Sequence, residues 1–205
     1  MPSVRCAYVP ISYCKPVCSL CSTVSQVRGA PAIAIVAALS IAVELKARTF
    51  ASIPELVDFI QGSLAHLRTS RPTAVNLFEM ASRMEALTTT LSTANDCTVE
   101  GVKAGILAEI EGMMAADIAD NRAIGRYGAE AILNKVAVDT HVKVLTHCNT
   151  GSLATAQYGT ALGVIRALHE QGRLEHAFCT ETRPYNQGAR LTAYELVVEK
   201  IPGQF

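Results

Sequence analysis

The stretch His141–Gly172, HVKVLTHCNTGSLATAQYGTALGVIRALHEQG, decides the fold. Its opening HVKVLTH is short, rich in β-branched residues and followed by turn formers, so it reads as a strand. From Ala154 on, apolar residues recur at helical spacing and the pattern ends at Gly172, a good position just past a helix C-terminus. The order then repeats, with EHAFCTE (Glu175–Glu181) as a second short strand and NQGARLTAYELVVEKI (Asn186–Ile201) as a second helix. A β-α-β-α order calls for a parallel sheet with helical crossovers, and the fold class is α/β. Two strands are too few for a finished parallel sheet, and a third is expected where the chain reaches IPGQF. The sheet therefore reads as incomplete, completed by a partner or truncated.

Upstream of about Ala137 the sequence shows only helices. From Pro31 to about Ala47 it is apolar on nearly every face, as in a helix buried in a core, and Pro31 suits a first helical position. The run APAIAIVAALSIAV (Ala30–Val43) falls short of the roughly 20 residues that cross a bilayer. Pro54–Leu67 reads as an amphipathic helix opened near Ser52, and AVNLFEMASRMEAL (Ala74–Leu87) as another after TSRPT. TTTLSTANDCT (Thr88–Thr98) breaks the pattern, and Thr98–Leu133 gives helix again, interrupted near Gly125. The expected organisation is a cysteine-rich leader over 1–25, a helical domain over 26–138 and a partial parallel-sheet domain over 139–205.

Composition narrows the partners. In 205 residues, half are hydrophobic, and 18 Lys plus Arg balance 18 Asp plus Glu. No whole-chain field favours nucleic acid or an anionic membrane, which leaves a small molecule or another protein. The N-terminus lacks a continuous apolar segment behind a basic start, so it makes a poor secretory signal and the cytosol, with reduced thiols, is expected. Four of the seven cysteines, Cys6, Cys14, Cys18 and Cys21, crowd the start of the chain. Their spacing lacks the paired knuckles of a zinc ribbon, and an atypical leader is the preferred reading over a metal site.

Three places share an arginine with a proline close behind it near a helix start: Arg28 in VRGAPAIA, Arg71 in TSRPTAVN and Arg183 in ETRPYNQGARL. Helix starts offer unpaired N–H groups and a guanidinium adds a fork suited to phosphate oxygens, so together they point to a phosphorylated ligand. Cys148 lies just past the first strand, where open α/β sheets bind ligands. The NTGS turn behind it can aim N–H groups at one point, holding an anion and favouring a thiolate. His147 is expected to face away from Cys148, because side chains alternate across a strand. Spacing alone leaves Cys148 open between chemistry and packing. Cys179, at the matching place after the second strand, reads as core, and Asp117, Asp120 and Arg122 as a polar cluster at a helix end.

The blocks VRGAPAIAIVAALSIAVEL, SRPTAVN, DNRAIG and the long run from VLTHCNTG through TRPYNQGARLTAYEL closely resemble the methylthioribose-1-phosphate isomerase family of methionine salvage, over roughly Gln26–Ile201. More distantly they resemble regulatory alpha, beta and delta subunits of the translation-initiation exchange factor. The resemblance implies a helical N-terminal domain joined to a Rossmann-like C-terminal domain, homodimers, and an aldose-ketose isomerase that needs neither cofactor nor metal. Its substrate carries phosphate on the anomeric carbon, so the sugar ring cannot open as a free aldose would. It implies Cys148 as the catalytic residue and Arg28, Gly29, Ala30, Arg71 and Gln187 as substrate contacts, in a cytoplasmic and also nuclear protein. The family's proton-donating aspartate and a substrate-binding Asn-Lys pair have no match in this chain, and Gln157 stands where the family usually has glycine. A shortened, non-catalytic binding or assembly protein, like the translation-factor relatives, is the alternative reading.

Overall fold

A computed structural model describes residues 27–204. The cysteine-rich leader lies outside the described residues. Helices run over Ala30–Ala47 (α1), Ile53–Arg68 (α2), Val75–Ser92 (α3) and Val99–Leu133 (α4). After them come strand β1 (Val142–Thr146), helix α5 (Ala161–Glu170), strand β2 (Leu174–Cys179), helix α6 (Ala193–Val198) and strand β3 (Gly203–Gln204). Contacts divide the chain into two compact units, Met1–Met113 and Met114–Phe205. The sequence sets a boundary at 138/139, where the helical pattern ends. The contacts divide within α4 because residues such as Ala129, past that point, belong to the core of the second unit.

In the first unit α1 and α2 each pack on α3. Ile41, Leu45, Leu56, Ile60, Leu64, Leu77, Met84, Ile106 and Ile110 form its fully buried centre. Among the described residues, α1 is the one helix long and apolar enough to cross a membrane, and it is built into this core, with Ile33, Ala34, Ala37, Ala38, Ile41, Ala42 and Leu45 all buried. Ser52 caps α2 by accepting the Glu55 N–H, as the pattern predicts.

Two helix readings need correction. Helix α3 runs on through Thr88–Ser92, where the sequence predicts a break. Thr88, Thr89 and Thr90 each donate a hydroxyl hydrogen bond to the carbonyl four residues back, at 2.7, 3.0 and 3.0 Å, so β-branched polar residues are accommodated in the helix. Helix α4 is continuous through Gly125. A Cβ there would come within 2.7 Å of the Tyr158 ring and 2.9 Å of the Gly163 carbonyl oxygen, so the glycine admits a close neighbour rather than a kink.

The second unit holds a parallel sheet of three strands in the order β1-β2-β3. The third strand is present but brief, pairing Ala177 with Gly203 and Phe178 with Gln204. Leu162, Ile165, Leu168, Ala177, Leu196 and Ile201 pack into its core. Helix α5 is shorter than the sequence predicts. A single tight turn covers Ser152–Ala154, and regular helix begins only at Ala161. Between them Tyr158 (φ +73°) and Gly159 (φ +80°) are left-handed, which a right-handed helix cannot include. Its end matches expectation: Gly172 is left-handed, and the Gly172 and Arg173 N–H groups donate to the His169 and Leu168 carbonyls, closing the helix in a Schellman motif. The segment read as a second helix over Asn186–Ile201 is helical, opening as a wide π-helix over Gly188–Thr192 and continuing as α6.

Candidate functional site

The predicted site residues fall into two groups, one in each unit. In the first unit, Gly29 is the N-cap of α1 and Arg28 and Ala30 flank it. Arg71 lies before α3, and its carbonyl accepts the N–H of Ala74, the residue that caps that helix. Neither start has a side-chain cap or an acidic residue in its first turn, whereas α2 has both Ser52 and Glu55. The two arginine-bearing starts thus keep the positive character that suits an anion, and the arginine-free one is neutralised from within. Arg183 does not join them: it is fully exposed and paired to Glu181 at 2.7 Å, the contact that raises its pKa.

In the second unit, Cys148 sits two residues beyond the end of β1, half-buried, with φ +72°. A left-handed conformation in a residue with a Cβ costs on the order of 1–2 kcal/mol and persists only where the surroundings enforce it. They do so on both sides. The Cys148 N–H donates to Thr182 Oγ1 at 2.9 Å, and its carbonyl accepts the Thr192 hydroxyl at 2.6 Å. Thr146 and Thr150 bridge the turn through their hydroxyls at 3.2 Å. His147 is exposed, and its Nδ1 meets Thr180 Oγ1 at 2.6 Å, so its hydrogen bond goes to the β2 end and not to the thiol.

At the next residue, both polar atoms of the Asn149 amide are buried with no protein hydrogen bond, and so, further along the second unit, is Gln187 Oε1. Unpaired buried amides cost about 1–3 kcal/mol each and are uncommon, so they mark a place shaped for something other than packing. Cys179 is different: it is 4% exposed in the apolar core, and burial pushes its thiol pKa up.

Of the NTGS turn, the last N–H is turned to one of the protein's own carboxylates. The Ser152 and Leu153 N–H groups donate to the Glu195 carboxylate at 2.7 and 3.2 Å. That carboxylate is buried and paired to Arg166 at 2.6 Å. Burial pulls the Arg166 pKa down, but hydrogen bonds to Glu199 and Glu195 outweigh it and raise the pKa above the ordinary value. Arg166 also donates to the Tyr158 carbonyl. A Cβ on Gly151 would lie 2.3 Å from the Glu195 carboxylate, so the turn can seat this acid only with glycine there.

The Asp117 cluster lies within α4, not at its end. Asp117 accepts the Ala156 N–H at 2.8 Å, and Arg122 lies over the Tyr158 ring at 5.1 Å, so both brace the same loop. Gln157 takes part through its carbonyl, which accepts the Gly159 N–H at 2.9 Å and the Thr155 hydroxyl at 3.2 Å.

Glu195, Arg166, Thr182, Thr192 and Asn149 escape a sequence reading. Only the two charged residues leave a trace, each standing inside an apolar run, GVIRAL and AYELVV, where a surface charge would not be expected.

Residues 26–205 match the Initiation factor 2 subunit family. The chain is 58% identical over 177 residues to a methylthioribose-1-phosphate isomerase from Nematostella vectensis, covering 86% of this chain and 49% of that protein. The crystal structure of 5-methylthioribose 1-phosphate isomerase from Pyrococcus horikoshii superimposes with a TM-score of 0.79 at 33% identity, covering 93% of this chain and 51% of the other. The translation initiation factor eIF-2B subunit delta from A. fulgidus superimposes at 0.72 and 37% identity, covering 93% and 53%. The chain thus spans about half the length of the relatives it matches.

Proposed function

The chain belongs to the Initiation factor 2 subunit family, and on that premise we propose that it carries the thiol and phosphate-binding parts of an isomerase that converts 5-methylthioribose 1-phosphate to 5-methylthioribulose 1-phosphate in methionine salvage. One observation carries the reading. Cys148 is held in a left-handed conformation by hydrogen bonds to both its N–H and its carbonyl, next to an Asn149 amide buried without a protein partner. That is how a reactive group is fixed, and a packing residue needs none of it.

Aldose-ketose isomerisation moves hydrogen from C2 to C1 of the sugar. Phosphate on C1 blocks the usual ring opening, so the site must free the ring oxygen and work on a carbon-bound proton at once. Cys148 is the base assigned to that proton. Arg28, Gly29 and Ala30 at the start of α1 and Arg71 before α3 are assigned to substrate, with the phosphate on the arginines. Gln187, with its buried Oε1, is assigned to the sugar hydroxyls. The resemblance gives the acid role to an aspartate outside the matched residues.

Ketose formation followed by NMR, with Cys148→Ala alongside the unaltered protein, tests this. Equal rates would remove Cys148 from the chemistry. A homodimer in the cytoplasm and nucleus is part of the proposal, and light scattering and imaging check those two points.

The likeness to the archaeal eIF-2B delta subunit, higher in identity than that to the archaeal isomerase, favours a second reading: a non-catalytic subunit that binds a partner protein. Under it, the protein forms a stable hetero-complex and shows no turnover with either Cys148 or its alanine variant.

A further inference from the structure

The loop from Cys148 to Thr160 has no regular structure beyond one tight turn, yet it presents the thiol on which the proposed function depends. Its middle is held from a single buried ion pair on the two helices behind it. Glu195 on α6 accepts the Ser152 N–H at 2.7 Å and the Leu153 N–H at 3.2 Å, using both carboxylate oxygens. Arg166 on α5 donates to Glu195 at 2.6 Å and, through another nitrogen, to the Tyr158 carbonyl at the far side of the loop. The two charged groups thus grip the loop at two separated points and lock to each other. The loop closes on itself outside those grips, with the Thr160 N–H donating to the Thr150 carbonyl at 2.8 Å.

We propose that Glu195, locked by Arg166, is a positioning residue for Cys148. It occupies the Ser152 and Leu153 N–H groups as a resident anion, so the turn keeps one shape whether or not substrate is bound, and the thiol is presented in one orientation. A surface pair would not do this, because exposed partners fluctuate and are screened. Here the side chains of Arg166 and Glu195 are 7% and 5% exposed. A buried pair holds its geometry because either partner left alone there would be costly. Glu199 is the internal control: it also pairs with Arg166, at 2.6 Å, and among the described residues its carboxylate accepts no N–H of the loop.

The inference rests on the proposed isomerase reading only for its effect on turnover. Its first test needs no substrate: the rate of Cys148 alkylation by iodoacetamide, followed by mass spectrometry with Cys97 in the other unit as internal standard. Glu195→Gln preserves size, loses the charge and one acceptor oxygen, and is expected to raise the Cys148 rate about fivefold or more as the turn loosens. Ser152→Pro suits the first residue of a tight turn, removes one gripped N–H and puts a ring carbon where that N–H met the carboxylate, so it drives Glu195 off the turn from the loop side and is expected to act in the same direction even if the glutamine variant folds poorly. Glu199→Gln is expected to leave the rate unchanged. Unchanged rates in both Glu195→Gln and Ser152→Pro, or an equal rise in Glu199→Gln, would overturn the proposal. In an assay of turnover, Glu195→Gln is expected to lower kcat about tenfold or more with KM nearly constant, as a misplaced reacting group does. If Cys148→Ala keeps full turnover the isomerase reading fails, while the alkylation result still decides the positioning role.

Discussion

Cys179 ends β2 directly opposite Thr146 of β1, and Cys148 lies two residues beyond Thr146, so the sheet puts two thiols near the same carboxyl edge. Cys179 keeps its extended strand register, packs in the core and has a raised pKa from burial. Cys148 has left the pleat, is half-buried, and is held by threonines from two later segments of the chain. Residue type and sheet position are shared; backbone conformation and what grips it are not. A thiol at a strand end becomes a candidate for chemistry where the chain turns out of the sheet under constraint, and remains filler where it continues the strand.

The sharpest way to break this comparison is to exchange each thiol. Cys148→Ser is expected to lower ketose formation by about 10²–10⁴-fold, the range for removing a proton-transfer group, while Cys179→Ala is expected to cost stability and little turnover. Similar losses from both would erase the distinction. Thr192→Val, which deletes the hydroxyl that the Cys148 carbonyl accepts, is expected to destabilise by about 1–3 kcal/mol in a urea titration, because it strands a buried acceptor. Native-state alkylation should then rank the thiols, with Cys148 modified at least about tenfold faster than Cys179 at the same pH. Equal rates would contradict the burial difference.

The smallest effect is in pH. Burial raises the Cys179 pKa above its ordinary value of 9.0, so the folded state holds that proton more tightly than the unfolded chain does. Its contribution to stability is complete below the unfolded pKa and is lost as pH rises through the folded one. Thermal melts across alkaline pH should show a decline that Cys179→Ala reduces; a decline of the same size in both would remove this thiol from the account.

Much of the fold is legible in the sequence because it rests on local signals. Pro31, Ser52 and Gly172 mark helix ends by the geometry of single residues, and the apolar spacing of α2 and α5 shows which faces are buried. The errors have non-local causes. Ala154–Thr160 has spacing that fits a helix, but left-handed Tyr158 and Gly159, under the Arg166 that grips the Tyr158 carbonyl, turn it aside. Gly125 reads as an interruption until the Tyr158 ring that rests on it is seen. For the site, the thiol at a strand end and the arginines before α1 and α3 follow from motif and position. The residues that hold Cys148, Thr182 and Thr192, are 34 and 44 positions away and leave no pattern to read.

The left-handed backbone of Cys148 also bears on descent. Glycine at that position would relieve the steric penalty and, set against the extra chain entropy glycine loses on folding, would leave a net gain of up to about 1 kcal/mol. Under the proposed function, selection for chemistry opposes selection for stability at this one residue. A lineage released from catalysis could then drift to glycine here at no structural expense, which makes the residue at position 148 a test that separates the two readings.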